Sequence, residues 1–283
     1  MKKYMISGLL IVAGLTALLV LNVQLQPSSD GWQSIRERGV LRVGFSVEAP
    51  YSYLNTNGEV MGQSPVIVEA VARELGISRV EWVLVPFAEL IPSLLERRFD
   101  MIGISIFVTD KRREQVLFAE PCVQVEPGML TRTDVTEDHW RSEQDFLLRS
   151  WDRIAVLTGS VEHRELSAIL RDERLFTVAD VYAGRSAVID GSVSALTLTM
   201  PTLKWLANTS PVELTVARLP AGITQRLPAM PSAFAFHPDD TSLPPDWNRA
   251  QATVLQYPEV SALLQKLGFS SLLSHTAAQE SRP

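Results

Sequence analysis

Apolar residues along this chain alternate between short continuous runs and helical spacings, and the alternation occurs in two blocks. In the first, Val40-Leu41-Arg42-Val43-Gly44-Phe45 reads as a strand and Asn55-Thr56-Asn57-Gly58 as a turn. Val66, Ile67, Ala70, Val71 and Leu75 then recur at helical spacing over Ser64 to Leu75, with Gly76 placed to end the helix. Val80 to Val85 is the next predicted strand. Ala88 to Arg97 carries Leu90, Ile91, Leu94 and Leu95 on one helical face, and Met101 to Ile106 is a third, apolar strand. This order predicts a largely parallel sheet covered by helices.

The second block repeats the scheme. Arg153 to Leu157 is a predicted strand, Thr158-Gly159-Ser160 a turn, and a helix runs on through about Leu170. Phe176 to Val178 is a strand, and Ser186 to Leu198 supplies a helix or turn and then another strand, so a second sheet is expected. Pro211 to Pro231 reads as proline-rich and irregular, Ser232 to Phe236 as a strand, and Trp247 to Leu255 and Glu259 to Leu267 as amphipathic helices. From Ser274 the tail is polar. Glu120 to Gly128 is short and partly apolar, which suggests strands crossing between two lobes as a hinge. Ligands of open α/β sheets bind beyond the carboxyl ends of the strands, so two facing lobes would enclose a small molecule by hinge closure.

Ahead of both blocks, Met1-Lys2-Lys3 precedes Tyr4 to Val23, a run without a charge, after which the chain turns polar. That pattern addresses an export route and places the remainder outside the cytoplasm. The run lacks an Ala-x-Ala site near its end and approaches the ~20 residues that cross a bilayer, so a cleaved signal peptide and an uncleaved anchor are both open. The 283 residues, 46% of them apolar, suffice for two lobes. A formal charge of −6 with no basic stripe argues against a nucleic-acid partner. Cys122 is the single cysteine and the 4 histidines show no ligand spacing, so neither a disulfide framework, a metal nor another cofactor is expected.

A long run of motifs resembles the bacterial extracellular solute-binding proteins, family 3, of polar amino-acid ABC transporters. Trp32-x-x-Ile35-x-x-x-Gly39-Val40-Leu41-Arg42-Val43-Gly44 is similar to the family's opening, and Phe87-x-x-Leu90-Ile91-Pro92-x-Leu94 to its second helix. Arg98-Phe99-Asp100, Thr109-Asp110-Lys111-Arg112 and Phe118-Ala119-Glu120-Pro121 continue it. The resemblance covers roughly residues 31 to 273 and implies a type II periplasmic-binding fold, two α/β lobes joined by a two-strand hinge. The expected layout is a signal or anchor at 1–29, lobe 1 at 30–122 and again at 231–273, lobe 2 at 123–230, and a tail at 274–283. Glu48-Ala49-Pro50-Tyr51, Gly62-Gln63-Ser64-Pro65, Phe107-Val108-Thr109, Leu157 to Glu162 and Leu198-Thr199 to Ala207 are most similar to ectoine/hydroxyectoine-binding proteins.

The resemblance places Glu48, Tyr51, Phe87, Phe107, Thr109 and Arg112 on the cleft side of lobe 1, and Gly159, Ser160, Val161 and Thr199 on that of lobe 2. A guanidinium matches a carboxylate bidentately, so Arg112 is the expected anchor, with the Thr109 N–H as a second donor. By itself, Lys111-Arg112-Arg113 reads as a solvated charge run. Glu48 would face a cation, and Tyr51, Phe87 and Phe107 would box it, although any one aromatic taken alone reads as core. Many amino-acid binders of this type place an acid where this chain has Thr199, so Glu48 is expected to supply that charge. Val161 lacks the polar side chain that related proteins often use. The implied function is capture of a small zwitterion by an extracytoplasmic monomer serving an ABC permease. A conventional amino acid as ligand, and an exported cyclohexadienyl dehydratase with Glu48 or Glu162 as its general acid, are the alternatives.

Overall fold

The computed structural model describes residues 31–135, 142–148 and 152–269. The leader and the polar tail of the expected layout lie outside the described residues. Helix α1 (Gly31–Arg38) leads into strand β1 (Val40–Phe45), followed by a small hairpin of β2 (Tyr53–Leu54) and β3 (Val60–Met61). Helix α2 (Gln63–Glu74), strand β4 (Arg79–Leu84), helix α3 (Leu90–Leu95) and strand β5 (Met101–Phe107) complete the first block. Strand β1 pairs in parallel with β4 on one side and β5 on the other. Every residue of β5 is buried, as expected of a central strand covered on both faces. The predicted helix over 88–97 is shorter, because Phe87–Glu89 forms a 3-10 turn and Arg97 adopts φ 59. Pro92 sits in the first turn of α3, where its missing N–H has no intrahelical partner to lose.

A short helix α4 (Asp110–Arg113) and β6 (Leu117–Phe118) lead to the crossing. Strand β7 (Val123–Val125) pairs with a strand of the first sheet, β13 (Met230–Phe236), whereas β8 (Pro127–Arg132) belongs to the second sheet. Glu126 alone separates them. The second sheet has the order β10-β9-β11-β8-β12. It is built from β9 (Ile154–Leu157), β10 (Leu175–Val178) and β11 (Ala195–Thr199) in parallel, with β8 running antiparallel between β11 and β12 (Leu214–Arg218). Between these strands lie α5 (Glu143–Leu148), α6 (Val161–Ser167), α7 (Val181–Ile189) and α8 (Met200–Asn208). Helix α6 ends short of Leu170, and the sequence pattern did not single out α8 or β8 as elements.

The return crossing corrects the irregular reading of Pro211 to Pro231. It contains β12, helix α9 (Ala221–Arg226) and the start of β13. The prolines fall where they cost little: Pro220 is the N-cap of α9, and Pro231 in β13 uses its carbonyl to accept the Val108 N–H at 2.9 Å. Strand β13 closes the first sheet antiparallel to β5. Helices α10 (Leu243–Val254) and α11 (Pro258–Lys266) then pack back on α2. Trp247 anchors this return, fully buried with edge contacts to Phe234 and Phe236 at 5.8 and 5.6 Å between centroids. The loop that leaves the end of β1 therefore stands on a sheet built from both ends of the chain.

Gly44, near that end of β1, allows Phe99 to lie flat against the strand. A Cβ at Gly44 would sit 2.3 Å from the Phe99 ring, which is fully buried and has nowhere to move. Gly44→Ala should therefore lower stability by roughly 1–3 kcal/mol through overpacking, read as a lower midpoint in urea unfolding. An unchanged midpoint would contradict this account of the strand.

Candidate ligand-binding site

Glu48 is held by a tight loop rather than left free at the end of β1. Its N–H donates to the Ser52 carbonyl (2.8 Å), the Ser52 and Tyr51 N–H groups donate to the Glu48 carbonyl, and the Ser52 hydroxyl donates to Ser46. The Ala49–Pro50 peptide in this loop is cis. The carboxylate, only 6% exposed, accepts a 3.1 Å hydrogen bond from the Thr202 hydroxyl, which belongs to α8 on the second sheet. Burial, then the nearby Glu162 charge, pushes the Glu48 carboxyl up to about 7, while Thr202 and Arg112 oppose the rise.

Arg112 is placed by a helix cap. Thr109 follows β5, and its hydroxyl accepts the Arg112 backbone N–H at 3.3 Å, turning the chain into α4. From there the guanidinium donates to the Phe107 carbonyl at 3.0 Å and, across the cleft, to the Gly159 carbonyl at 3.3 Å. It also lies over the Phe87 ring, 5.8 Å from the centroid. Burial pushes Arg112 down to about 10, against the pull of Glu162 and Glu48. Both partners are neutral carbonyls, and the remaining guanidinium N–H groups leave it able to bind an anion.

On the opposite side, the turn after β9 needs a glycine for two reasons. Gly159 has φ +81, and a Cβ there would come within 3.0 Å of the Ala88 Cα on the facing lobe. Ser160 caps α6 by accepting the His163 N–H at 3.0 Å, and this sets Val161 and Glu162 in the first helical turn facing the cleft. Thr199 ends β11 and donates to Thr202 at 3.2 Å, so hydroxyls connect the second sheet to Glu48. Tyr53 and Trp205 add a ring contact between the lobes, with centroids 5.0 Å apart.

Eight of the residues named from sequence, Glu48, Tyr51, Phe87, Phe107, Arg112, Ser160, Val161 and Thr199, line one cavity between the sheets. Its volume is about 20 Å³, room for little more than one water molecule, so the two sheets stand closed on one another here. Two of the named residues, Thr109 and Gly159, do not line the cavity. The Thr109 hydroxyl is used by the cap, which does not engage the backbone N–H expected as a donor, and Gly159 uses both backbone groups within the protein, its N–H donating to His163 Nδ1 at 3.2 Å. Tyr51 serves mainly as floor: it is 2% exposed, its ring packs edge-on against Phe269, and its hydroxyl lies unpaired beside Thr199.

Glu162, weighed from sequence only as an enzyme's acid, is a wall of the cavity and is 1% exposed. Burial pushes its carboxyl up, opposed by its own backbone N–H, the Ser160 hydroxyl and Arg112. Ser105 and Ser232 also line the cavity and were not foreseen, because small polar residues inside apolar strands carry no distinguishing pattern. Among the described residues no group of His, Cys, Asp or Glu is arranged to hold a metal ion, and no helix is long and apolar enough to cross a membrane.

Comparison with known proteins agrees with this architecture. A probable amino-acid ABC transporter periplasmic-binding protein of Sinorhizobium fredii is 28% identical over 250 residues, 87% of this chain and 82% of the relative. The structure of EhuB in complex with hydroxyectoine superimposes with a TM-score of 0.76 at 21% identity, covering 88% of this chain and 94% of that one. The ancestral amino-acid-binding protein AncCDT-1, a precursor of cyclohexadienyl dehydratase, gives 0.74 at 22% identity over 84% and 99% of the two chains. At these identities the solved structures speak for the fold, an α/β type II periplasmic-binding fold. Residues 41–269 match the bacterial extracellular solute-binding proteins, family 3, and the chain belongs to that family.

Proposed function

We infer that this chain captures a small molecule carrying one carboxylate and one cationic N–H group, and delivers it outside the cytoplasm, as a monomer, to an ABC permease. Ectoine and hydroxyectoine are the first ligands to consider. One observation carries the reading: Arg112 and Glu48, opposite charges on rigid supports, line the same cleft between the two sheets. A carboxylate fits the free edge of the guanidinium, and a ring amidinium fits Glu48 beside Phe87 and Phe107. Contacts between the lobes, from Arg112 to Gly159 and from Thr202 to Glu48, support capture by closure of the two sheets about the crossings at Glu126 and 219–229.

A conventional amino acid is the second reading, favoured by a further acid in the cavity, Glu162, and by the relatives. These include an arginine-binding periplasmic protein of Mannheimia haemolytica, 24% identical over 162 residues, and a probable histidine-binding protein of Campylobacter jejuni, 27% identical over 121. We read the site as binding rather than catalytic, in keeping with a family of transport proteins.

Each charge-assisted hydrogen bond to a desolvated ligand contributes about 1.5–3 kcal/mol. In titration calorimetry with ectoine, Arg112→Ala and Glu48→Ala should therefore each weaken binding by at least roughly tenfold, and near-native affinity in either variant would reject the pose. A thermal-shift panel of ectoine, hydroxyectoine, arginine, histidine and glutamine should raise the melting temperature most for the cognate class, since binding to the folded state alone stabilises it. Stabilisation by none of them would place the ligand outside both readings.

A further inference from the structure

Two acids enter the cavity from opposite lobes. Glu48 comes from the loop after β1, and Glu162 from the first turn of α6 on the second sheet. Glu162 is 1% exposed, and its Oε1 has no hydrogen-bond partner. Arg112 is the cation that acts on both carboxyls, and two of its N–H groups are already given to the Phe107 and Gly159 carbonyls. One guanidinium does not neutralise two carboxylates. A ligand carboxylate seated on Arg112 adds to the acid surplus, so the ligand's other end has to offset it.

A cation lying between the two acids would offset both. An ammonium, amidinium or guanidinium has two or more N–H donors and can give one to each side, whereas a quaternary ammonium has none. We propose that Glu162 is the specificity-determining partner of Glu48: the two acids clamp, from opposite lobes, a cationic group with at least two N–H donors. Their mutual repulsion keeps the lobes apart until such a group, or a proton, lies between them. This rests on the reading that Arg112 and Glu48 grip the ligand, and it adds the charge class that the second lobe demands.

The groups facing the pair are Arg112 from α4, Thr202 from α8, Tyr51 from the β1–β2 loop and Ser160 at the start of α6. Arg164 acts on Arg112, and His163 lies behind Gly159. Burial, and then the Glu162 charge, hold Glu48 up at about 7 where the two acids meet, so protonation favours the closed arrangement. The ligand-free closed form is consequently most favoured at and below about pH 4.5, loses that advantage as pH rises to about 7, and changes little above.

X-ray scattering on the purified protein tests this with and without ligand. Without ligand, the radius of gyration should be larger at about pH 8 than at about pH 5, and E162Q and E48Q should each show a smaller difference between the two, while H163Q keeps the wild-type response. At about pH 8, L-arginine or ectoine should compact the wild type and glycine betaine should not. E162Q should also bind L-arginine at least roughly tenfold more weakly. A wild type indifferent to pH, an E162Q variant that responds like the wild type, or compaction by glycine betaine would overturn the proposal. If the pH response and its weakening in E162Q appear but neither N–H ligand compacts the protein, the repulsion between the acids stands, and both the clamp proposed here and the reading that Arg112 and Glu48 grip such a ligand fall.

Discussion

Ionised groups are expensive to remove from water, and this molecule gathers one guanidinium and two carboxyls where little water reaches. The cost is visible in the groups themselves: burial moves Arg112 down and Glu48 and Glu162 up, each towards its neutral form. Such a cluster persists only if its members are fixed and if their closest approach is conditional. Both requirements are met. Glu48 is locked by a bridge to Ser52, Arg112 by the Thr109 cap, and Glu162 by the Ser160 cap, while the acids belong to different sheets.

The topology makes the approach conditional. The first sheet draws its strands from both ends of the described chain, and the second is inserted between them, joined through Glu126 and through the return over 219–229. Few backbone positions need to change for the sheets to part, and the side chains of each half keep their own supports as they do so. Among the described residues, few hydrogen bonds cross the gap. Arg112 reaches one carbonyl and Thr202 one carboxylate, with the Tyr53–Trp205 ring contact outside the cavity. A ligand bridging the charged groups is the natural complement to so light a set of contacts.

Much of this was legible in sequence, for identifiable reasons. Strand β1 and helix α2 show undiluted periodicity, and Gly76 ends its helix as expected, at φ +74. Arg112 could be placed in the cleft only by resemblance, since Lys111-Arg112-Arg113 alone looks like an exposed run. The segment Pro211 to Pro231 misled because proline content suggests irregular chain, yet Pro220 stands at a helix N-cap and Pro231 within a strand. Glu162 was undervalued because an acid in a first helical turn ordinarily satisfies the helix dipole at the surface. Its role follows from the sheet that faces it, which no local pattern reveals. Thr202 was invisible for the same reason: its partner is 154 positions away along the chain.

The central claim is that a dipolar guest completes the charge of the cavity. Mass spectrometry of small molecules released from the natively purified protein addresses it most directly. The account predicts a single enriched species bearing a carboxylate together with an amidinium, guanidinium or ammonium group. An enriched species lacking either the carboxylate or the N–H cation would contradict it.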